Sequence, residues 1–298
     1  MERKLTYEIS DDFDGKTVKE LLKHNKISVA MTTKLKKKDN GIMLNGQRVF
    51  VTAKLSKGDI LELLTESEEA FSEFIYPTEG YLDIIYEDED FLVINKPPYL
   101  PVHPSKGHPY DSLANIVAYY YKQKNQNFTF RCVNRLDKDT SGVTIIAKNA
   151  YAHELMRRLS VENKIHKTYY AIVHGKPIPS SGKIDLPIYR PEEATIKRVV
   201  DLKGKQAITV YETVKSNEKL SLVKINLITG RTHQIRVHFS HIGHPLAGDF
   251  LYGDENDGII ARQALHCGEI NFVHPVSGKS MVLKAELPND MTKIERNF

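Results

Sequence analysis

The chain has 298 residues, 41% apolar and 27% charged, an ordinary globular composition that suits one large domain or two unequal ones. Its start, MERKLTYEIS, lacks the apolar run of a signal peptide, and no apolar stretch approaches the roughly 20 residues of a membrane span, so a cytoplasmic chain with no membrane partner is expected. Cys132 and Cys267 lie far apart without Cys-x-x-Cys spacing, which argues against a disulfide framework or a zinc ribbon and reads as two buried thiols. The net charge of +4 is a sum of unlike parts. Residues 1–64 carry 13 Lys/Arg against 9 Asp/Glu, residues 65–90 carry 10 acidic and no basic residues, and residues 91–298 carry 29 basic against 19 acidic. Two basic regions flanking an acidic one suit a polyanionic partner.

Near the N-terminus, Thr17 and Glu20 have the spacing of a capping box, and Val18, Leu21 and Leu22 give the helix it would start an apolar face. The basic stretch Lys34, Lys36, Lys37 and Lys38 follows, read as a solvated face or a phosphate-binding one. Gly41–Leu44, the turn Asn45-Gly46 and Val49–Val51 predict a hairpin, and Lys57-Gly58-Asp59 a turn into the strand Ile60–Leu63. This order resembles the RNA-binding domain named after small-subunit ribosomal protein S-four, although residues 27–40 depart from its spacing and lack its Ser-Arg pair. Residues 1–65 are therefore expected to form a small α/β RNA-binding domain.

Residues 66–80 combine like charge with a closing Pro and Gly and read as an acidic linker. Residues 81–298 follow as the larger domain. Strands are predicted at Leu82–Tyr86, Phe91–Asn95, Val143–Ala147, Tyr169–Val173, Ile208–Val214, Leu222–Leu227 and Met281–Ala285. Helices are predicted after caps at Asp111 and Asn149, and a third after Thr232, with Ile235, Phe239 and Ile242 inward and Gly243 as its stop. Many strands with few helices and no βαβ alternation predict an α+β fold on a largely antiparallel sheet.

Four segments carry the chemistry. The loop Leu100–Gly107 is rich in proline; Asn134–Gly142, NRLDKDTSG, sets Asp137 two residues after Arg135 and before a turn; Lys167-Thr168-Tyr169 lies on a strand; and Leu227–Arg236 turns at Gly230 into a helix. Alone, an Arg-x-Asp on a loop is a solvated pair and a strand tyrosine is packing. Together and in this order, these segments resemble the RluA/RluD-type family of RNA pseudouridine synthases over about residues 82–287, with further matches at Gly248-Asp249, Tyr252-Gly253, Leu265-His266 and Phe272–Pro275. The family signature HRLDxxTSG is met at each fixed position but the first, where Asn134 stands for the usual histidine.

The resemblance implies an isomerase that turns specific uridines of structured RNA into pseudouridine, as a monomer without cofactor or metal, with ribosomal RNA favoured over transfer RNA. Asp137 would be the catalytic carboxylate, Arg236 its cationic partner, and Tyr169 the residue that stacks on the base and takes part in proton transfer at C5. Arg135 would fill the gap left by the flipped nucleotide or hold its phosphate, Leu227 would pack on the base, and Arg231 would join the lysine run in gripping RNA. Three rivals are less well supported. His233, His238, His241 and His244 could face one side of a helix as metal ligands but lack a known zinc motif; Asp137 and Asp139 are too close in sequence for a flanking glycosidase pair; and a non-catalytic RNA-binding protein would not need Asp137, Tyr169 and Arg236 together.

Overall fold

The capping box read from the sequence is formed: the backbone N–H of Glu20 donates to Thr17 Oγ1 at 3.3 Å and that of Thr17 to Glu20 Oε2 at 2.7 Å. A computed structural model describes residues 2–65, 75–192, 195–254 and 257–298. In the N-terminal part, β1 (Lys4–Glu8), α1 (Val18–His24), α2 (Val29–Lys37), β2 (Ile42–Leu44), β3 (Gln47–Arg48) and β4 (Ile60–Leu64) build a sheet of order β1-β4-β2-β3. Leu5, Val18, Leu21, Leu22, Leu35, Leu61 and Leu63 form its core. The Asn-Gly turn is present, with both residues at positive φ, but the returning strand is Gln47–Arg48 and not Val49–Val51. The basic stretch also differs from its reading. It is the last turn of a helix capped by Ser28, with Leu35 buried and Lys34, Lys36 and Lys37 exposed. One buried residue in nine gives too little periodicity to detect such a helix.

The N-terminal sheet is packed against the rest of the chain. Tyr151 and Leu155 belong to its apolar core, and Arg3 pairs with the buried Asp90 at 3.0 Å. Of the acidic segment, residues 66–74 lie outside the described residues; Thr78 donates its N–H to the carbonyl of Asn115 at 3.1 Å.

The larger part runs β5 (Ile84–Glu87), β6 (Phe91–Lys96), α3 (Leu113–Gln123), β7 (Ser141–Ala147), α4 (Ala150–Val161), β8 (His166–His174), β9 (Ser181–Asp185), β10 (Ile188–Tyr189), β11 (Val199–Val200), β12 (Ile208–Ser216), β13 (Leu220–Leu227), α5 (Gln234–His241), β14 (Leu265–Val273), β15 (Ser280–Lys284) and α6 (Asn289–Glu295). Its main sheet has the order β5-β6-β7-β14-β8-β13-β12-β9, with β15 beside β14. Only β7 and β14 pair in parallel among the described strands, so the α+β fold on a largely antiparallel sheet is as expected. Alternate residues of β6 enter different cores: Phe91 and Val93 pack with α4 and α5, Leu92 and Ile94 with α3. The helix predicted after Asp111 starts one residue later, at Ser112, because the Asp111 carboxylate is taken by His108 at 2.7 Å.

Strand β14, at the centre of the sheet, was absent from the predicted strands. LHCGEINFV has no two-residue alternation, since most of it is buried, and Gly268 sits where the register with β8 shifts. Its parallel pairing with β7 depends on Gly142, whose φ is +112° and whose hypothetical Cβ would lie 2.2 Å from the Cys267 carbonyl oxygen. The glycine that closes NRLDKDTSG is therefore what lets β7 lie against β14.

Glu87 ties β5 to α3 and β7, accepting from Tyr120 Oη at 2.6 Å, Tyr121 Oη at 3.1 Å and Lys148 Nζ at 3.0 Å. Burial alone would raise its pKa, but these donors outweigh it and bring the carboxyl from 4.5 down to about 2. A lowered carboxyl pKa contributes stability that is fully present above pH 4.5 and is lost as pH falls towards 2. Glu87→Gln should therefore lower stability at pH 7 and flatten the pH dependence of urea unfolding between pH 4.5 and 2; an unchanged slope there would show that the cluster is not coupled to folding.

Candidate active site

Asp137 is displayed by a loop whose own backbone is tied down on every side. Asn134, 4% exposed, donates from Nδ2 to the Val143 carbonyl at 2.9 Å and accepts from the Ile145 N–H at 2.8 Å, so its amide acts as a piece of backbone joining the loop to β7. This is the role of the position at which the signature differs. Leu136 enters the core, which turns its neighbour Asp137 outwards, and Thr140 N–H closes the turn on the Asp137 carbonyl at 3.1 Å.

Beneath the loop lie two buried cations that the sequence reading did not single out. Lys96 ends β6 and spends its three N–H bonds on the carbonyls of Pro97, Leu100 and Lys138 at 2.8, 2.8 and 2.9 Å. Burial lowers its pKa to about 7, opposed by the nearby Asp139. Arg262 holds Asp290 and donates to the Asp139 carbonyl at 3.0 Å. Both cations thus grip successive main-chain oxygens of the Asp137 turn, those of Lys138 and Asp139.

Helix α5 brings the partner of Asp137. The predicted cap, Thr232, is replaced by His233, which takes a left-handed conformation at φ 59°, and the Gln234 amide satisfies the turn instead by accepting from Arg231 N–H at 3.0 Å. Arg236, 3% exposed, reaches Asp137 Oδ2 through Nη1 at 3.3 Å. Its bidentate contact, however, is with the buried Asp249, at 2.7 Å from both Nε and Nη2. Burial disfavours the guanidinium charge, and Asp249 ahead of Asp137 more than restores it, so its pKa is raised. One cation is shared between two carboxylates, and Asp137 holds the weaker share. His233 Nε2 stands 3.8 Å from the same oxygen. Asp137 Oδ1 accepts no hydrogen bond from any described residue, and the side chain is 30% exposed.

A recess of about 70 Å³ is lined at once by Arg135, Asp137, Tyr169, Leu227, Arg231 and Arg236. It opens into a cleft of about 810 Å³ that adds His103, Lys167 and Ile228 to its walls. Tyr169 is buried, and burial, then its contact with Cys267, raises its hydroxyl pKa well above 10, so the phenol stays protonated. Arg135 is exposed and forms no ion pair or hydrogen bond with a described residue, whereas Arg231 is braced by the Gln206 carbonyl at 3.0 Å. Lys34, Lys36, Lys37 and Lys38 do not line this cleft; they sit at the end of α2, where Lys38 pairs with Glu2 at 2.6 Å. Among the histidines weighed as metal ligands, His238 is engaged by Thr209 and the Leu186 carbonyl, and His244 by the His174 carbonyl. No group of three His, Cys, Asp or Glu able to hold a metal occurs among the described residues.

The sequence model of the RNA pseudouridylate synthase family matches residues 90–241, which include Asp137, Tyr169 and Arg236. The chain belongs to this family. An uncharacterized RNA pseudouridine synthase of Bacillus subtilis, YjbO, is 40% identical over 278 residues, covering 93% of this chain and 98% of that protein. The ribosomal large subunit pseudouridine synthase D of Yersinia pestis is 36% identical over 270 residues, 86% of this chain and 82% of that one. Of solved structures, human RNA pseudouridylate synthase domain containing 1 superposes with a TM-score of 0.58 at 26% identity, over 69% of this chain and 83% of its own. The RluA/RluD-type resemblance is thereby established. Asp249 and Tyr252 lie beyond the matched segment of the pseudouridine synthase. Their signal was the Gly248-Asp249 and Tyr252-Gly253 pattern, which carries no role until Arg236 is seen to face it.

Asn134→Ala would strand the Val143 carbonyl and the Ile145 N–H in a buried place, at a cost of about 2–4 kcal/mol by ordinary values for unsatisfied buried groups. Urea unfolding should shift by that amount, whereas a change within about 0.5 kcal/mol would mean the loop holds without this clamp.

Proposed function

We propose that this pseudouridine synthase isomerises uridines of structured RNA, ribosomal RNA foremost, with Asp137 as catalytic carboxylate acting on a nucleotide flipped into the cleft. The observation that carries the reading is the division of labour at Asp137: Oδ2 meets Arg236 at 3.3 Å while Oδ1 has no hydrogen-bond partner among the described residues. The reaction breaks the N1–C1′ bond, turns the base while it is held, and joins C5 to C1′, with no redox change and no net water. It needs an ionised carboxylate beside a confined base. Arg236 sets a positive charge 3.3 Å from that carboxylate, yet its bidentate commitment to Asp249 leaves the pairing with Asp137 partial. Tyr169 and Leu227 supply walls for the base. A phenol held protonated by burial is suited to stacking and to hydrogen-bond donation more than to service as a base at C5.

Extruding a stacked uridine costs a few kcal/mol, which contacts elsewhere on the RNA must offset. Arg135, at the cleft and without an ion pair or hydrogen bond among the described residues, suits the space the base leaves. Beside it, Arg190, Arg198, Lys203, Lys205 and Arg231 line a hollow of about 490 Å³ whose described wall residues include no acidic one, a setting for backbone phosphates. The N-terminal module, residues 1–65, serves as an S-four-like RNA-binding domain that acts from its docked position on α4, with Lys36 and Lys37 presented on α2. Ribosomal RNA is favoured by that module and by relatives named ribosomal large subunit pseudouridine synthase D.

The test is to incubate the protein with total RNA from a strain lacking its gene and map pseudouridines. New sites are expected with the intact protein and none with Asp137→Asn, a loss of at least about a thousand-fold; equal modification by the variant would rule out this role for the carboxylate. Lys36→Glu combined with Lys37→Glu should weaken RNA binding and lower the slope of log K against log salt by about two. A slope that does not move would exclude α2 from the RNA contact.

A further inference from the structure

His233 stands in the site, yet the scheme above gives it no task. Its backbone adopts the left-handed conformation at φ 59°, which is uncommon for a residue with a β-carbon. That conformation points the ring in two useful directions: Nδ1 lies 2.9 Å from Tyr252 Oη, and Nε2 lies 3.8 Å from Asp137 Oδ2. The Tyr252 hydroxyl already accepts the N–H of Arg198 at 2.8 Å, and Nδ1 is the one described acceptor within reach of its own proton. Nδ1 is thus an acceptor, and the proton of the neutral ring belongs on Nε2, the atom facing the carboxylate. Burial keeps the ring neutral by lowering its pKa, ahead of the opposing pull of Asp137. Tyr252 also meets the imidazole edge to face, with centroids 5.6 Å apart, and carries the Arg236 guanidinium over its ring at 5.1 Å.

The need for a second donor follows from Arg236. Its bidentate contact goes to Asp249, so Asp137 receives one N–H at 3.3 Å, and one bond leaves the carboxylate able to turn about Cβ–Cγ. A second donor on the same oxygen, from a different direction, removes that freedom. A neutral donor does so without a second full positive charge, which would make the carboxylate a poorer base and nucleophile. At 3.8 Å the contact is not yet a hydrogen bond, and contacts of this kind commonly tighten when substrate fills a site.

We propose that His233 is a positioning residue for Asp137: with its tautomer set by Tyr252, its Nε2–H closes on Oδ2 when RNA occupies the cleft and aims Oδ1 at the nucleotide. This rests on Asp137 being the catalytic carboxylate.

The experiment measures single-turnover tritium release from total RNA, labelled with [5-³H]uridine and taken from a strain lacking the gene, since joining C5 to C1′ expels the C5 hydrogen. His233→Ala and Tyr252→Phe should each slow release by about ten-fold to a hundred-fold at unchanged RNA affinity, the range for losing a hydrogen bond to a charged group. The double variant should be no slower than His233→Ala, because Tyr252 acts through the imidazole. His233→Gln, whose amide N–H reaches the Nε2 position, should recover most of the rate. Nitrogen-15 spectra of histidine-labelled wild-type protein should show the Nε2–H tautomer at His233, with Nδ1–H appearing in Tyr252→Phe. Wild-type rates in His233→Ala, failure of His233→Gln to recover the rate, or an Nδ1–H tautomer in the wild type would each overturn the proposal. Asp137→Asn run alongside separates the two ideas: if it is inactive while His233→Ala is normal, only the positioning role falls, and if it is active the catalytic assignment itself fails.

Discussion

The site depends on one buried guanidinium shared unequally between two carboxylates. Arg236 gives Asp249 a bidentate contact at 2.7 Å and Asp137 a single one at 3.3 Å. A buried arginine without Asp249 would be an uncompensated charge, and breaking such a pair typically costs about 3–5 kcal/mol. With Asp249 in place the cation is anchored before Asp137 is considered. The arrangement sets a cation beside Asp137 without saturating its carboxylate, and a carboxylate that pairs fully with its own arginine would lack that reserve.

The same logic extends outwards. Asp249 is itself fixed, since Oδ1 also accepts the N–H groups of Leu251 and Tyr252, which bends that loop so that the Tyr252 ring lies against Arg236. On the opposite side the Asp137 turn is held through its backbone, by Lys96 on the Lys138 carbonyl, Arg262 on the Asp139 carbonyl and Asn134 on β7. These three hold main chain, not the carboxylate, so they set position without pairing with the Asp137 charge. A reactive group on a loop can be placed accurately when each neighbouring peptide has a buried partner.

Much of the fold was legible where the cause is local. Capping at Thr17 and Asn149, the Asn-Gly turn, the apolar strand run of β6 and the stop at Gly243 each depend on a few consecutive residues, and each is found. The failures share another cause. β14 has no pattern because most of it is buried; α2 shows one buried residue; the caps at Asp111 and Thr232 were displaced by a histidine contact and by the Gln234 amide. In each of these, residues distant in sequence or competing side chains outweighed the local preference.

The sequence by itself determined the family and the reaction class, and marked out Asp137, Tyr169 and Arg236 as candidates, because NRLDKDTSG, the strand tyrosine and the GRTHQIR turn are contiguous strings whose order identifies the family. It also carried Asp249 and Tyr252 as a pattern without a purpose. Only the tertiary structure decided that Arg236 serves Asp249 first, that Lys96 and Arg262 grip the loop from beneath, and that His233 faces Asp137. The physical reason is that charge sharing and hydrogen-bond partnership are properties of distances between elements, and a chain of letters records which groups exist but not which of them compete for one another.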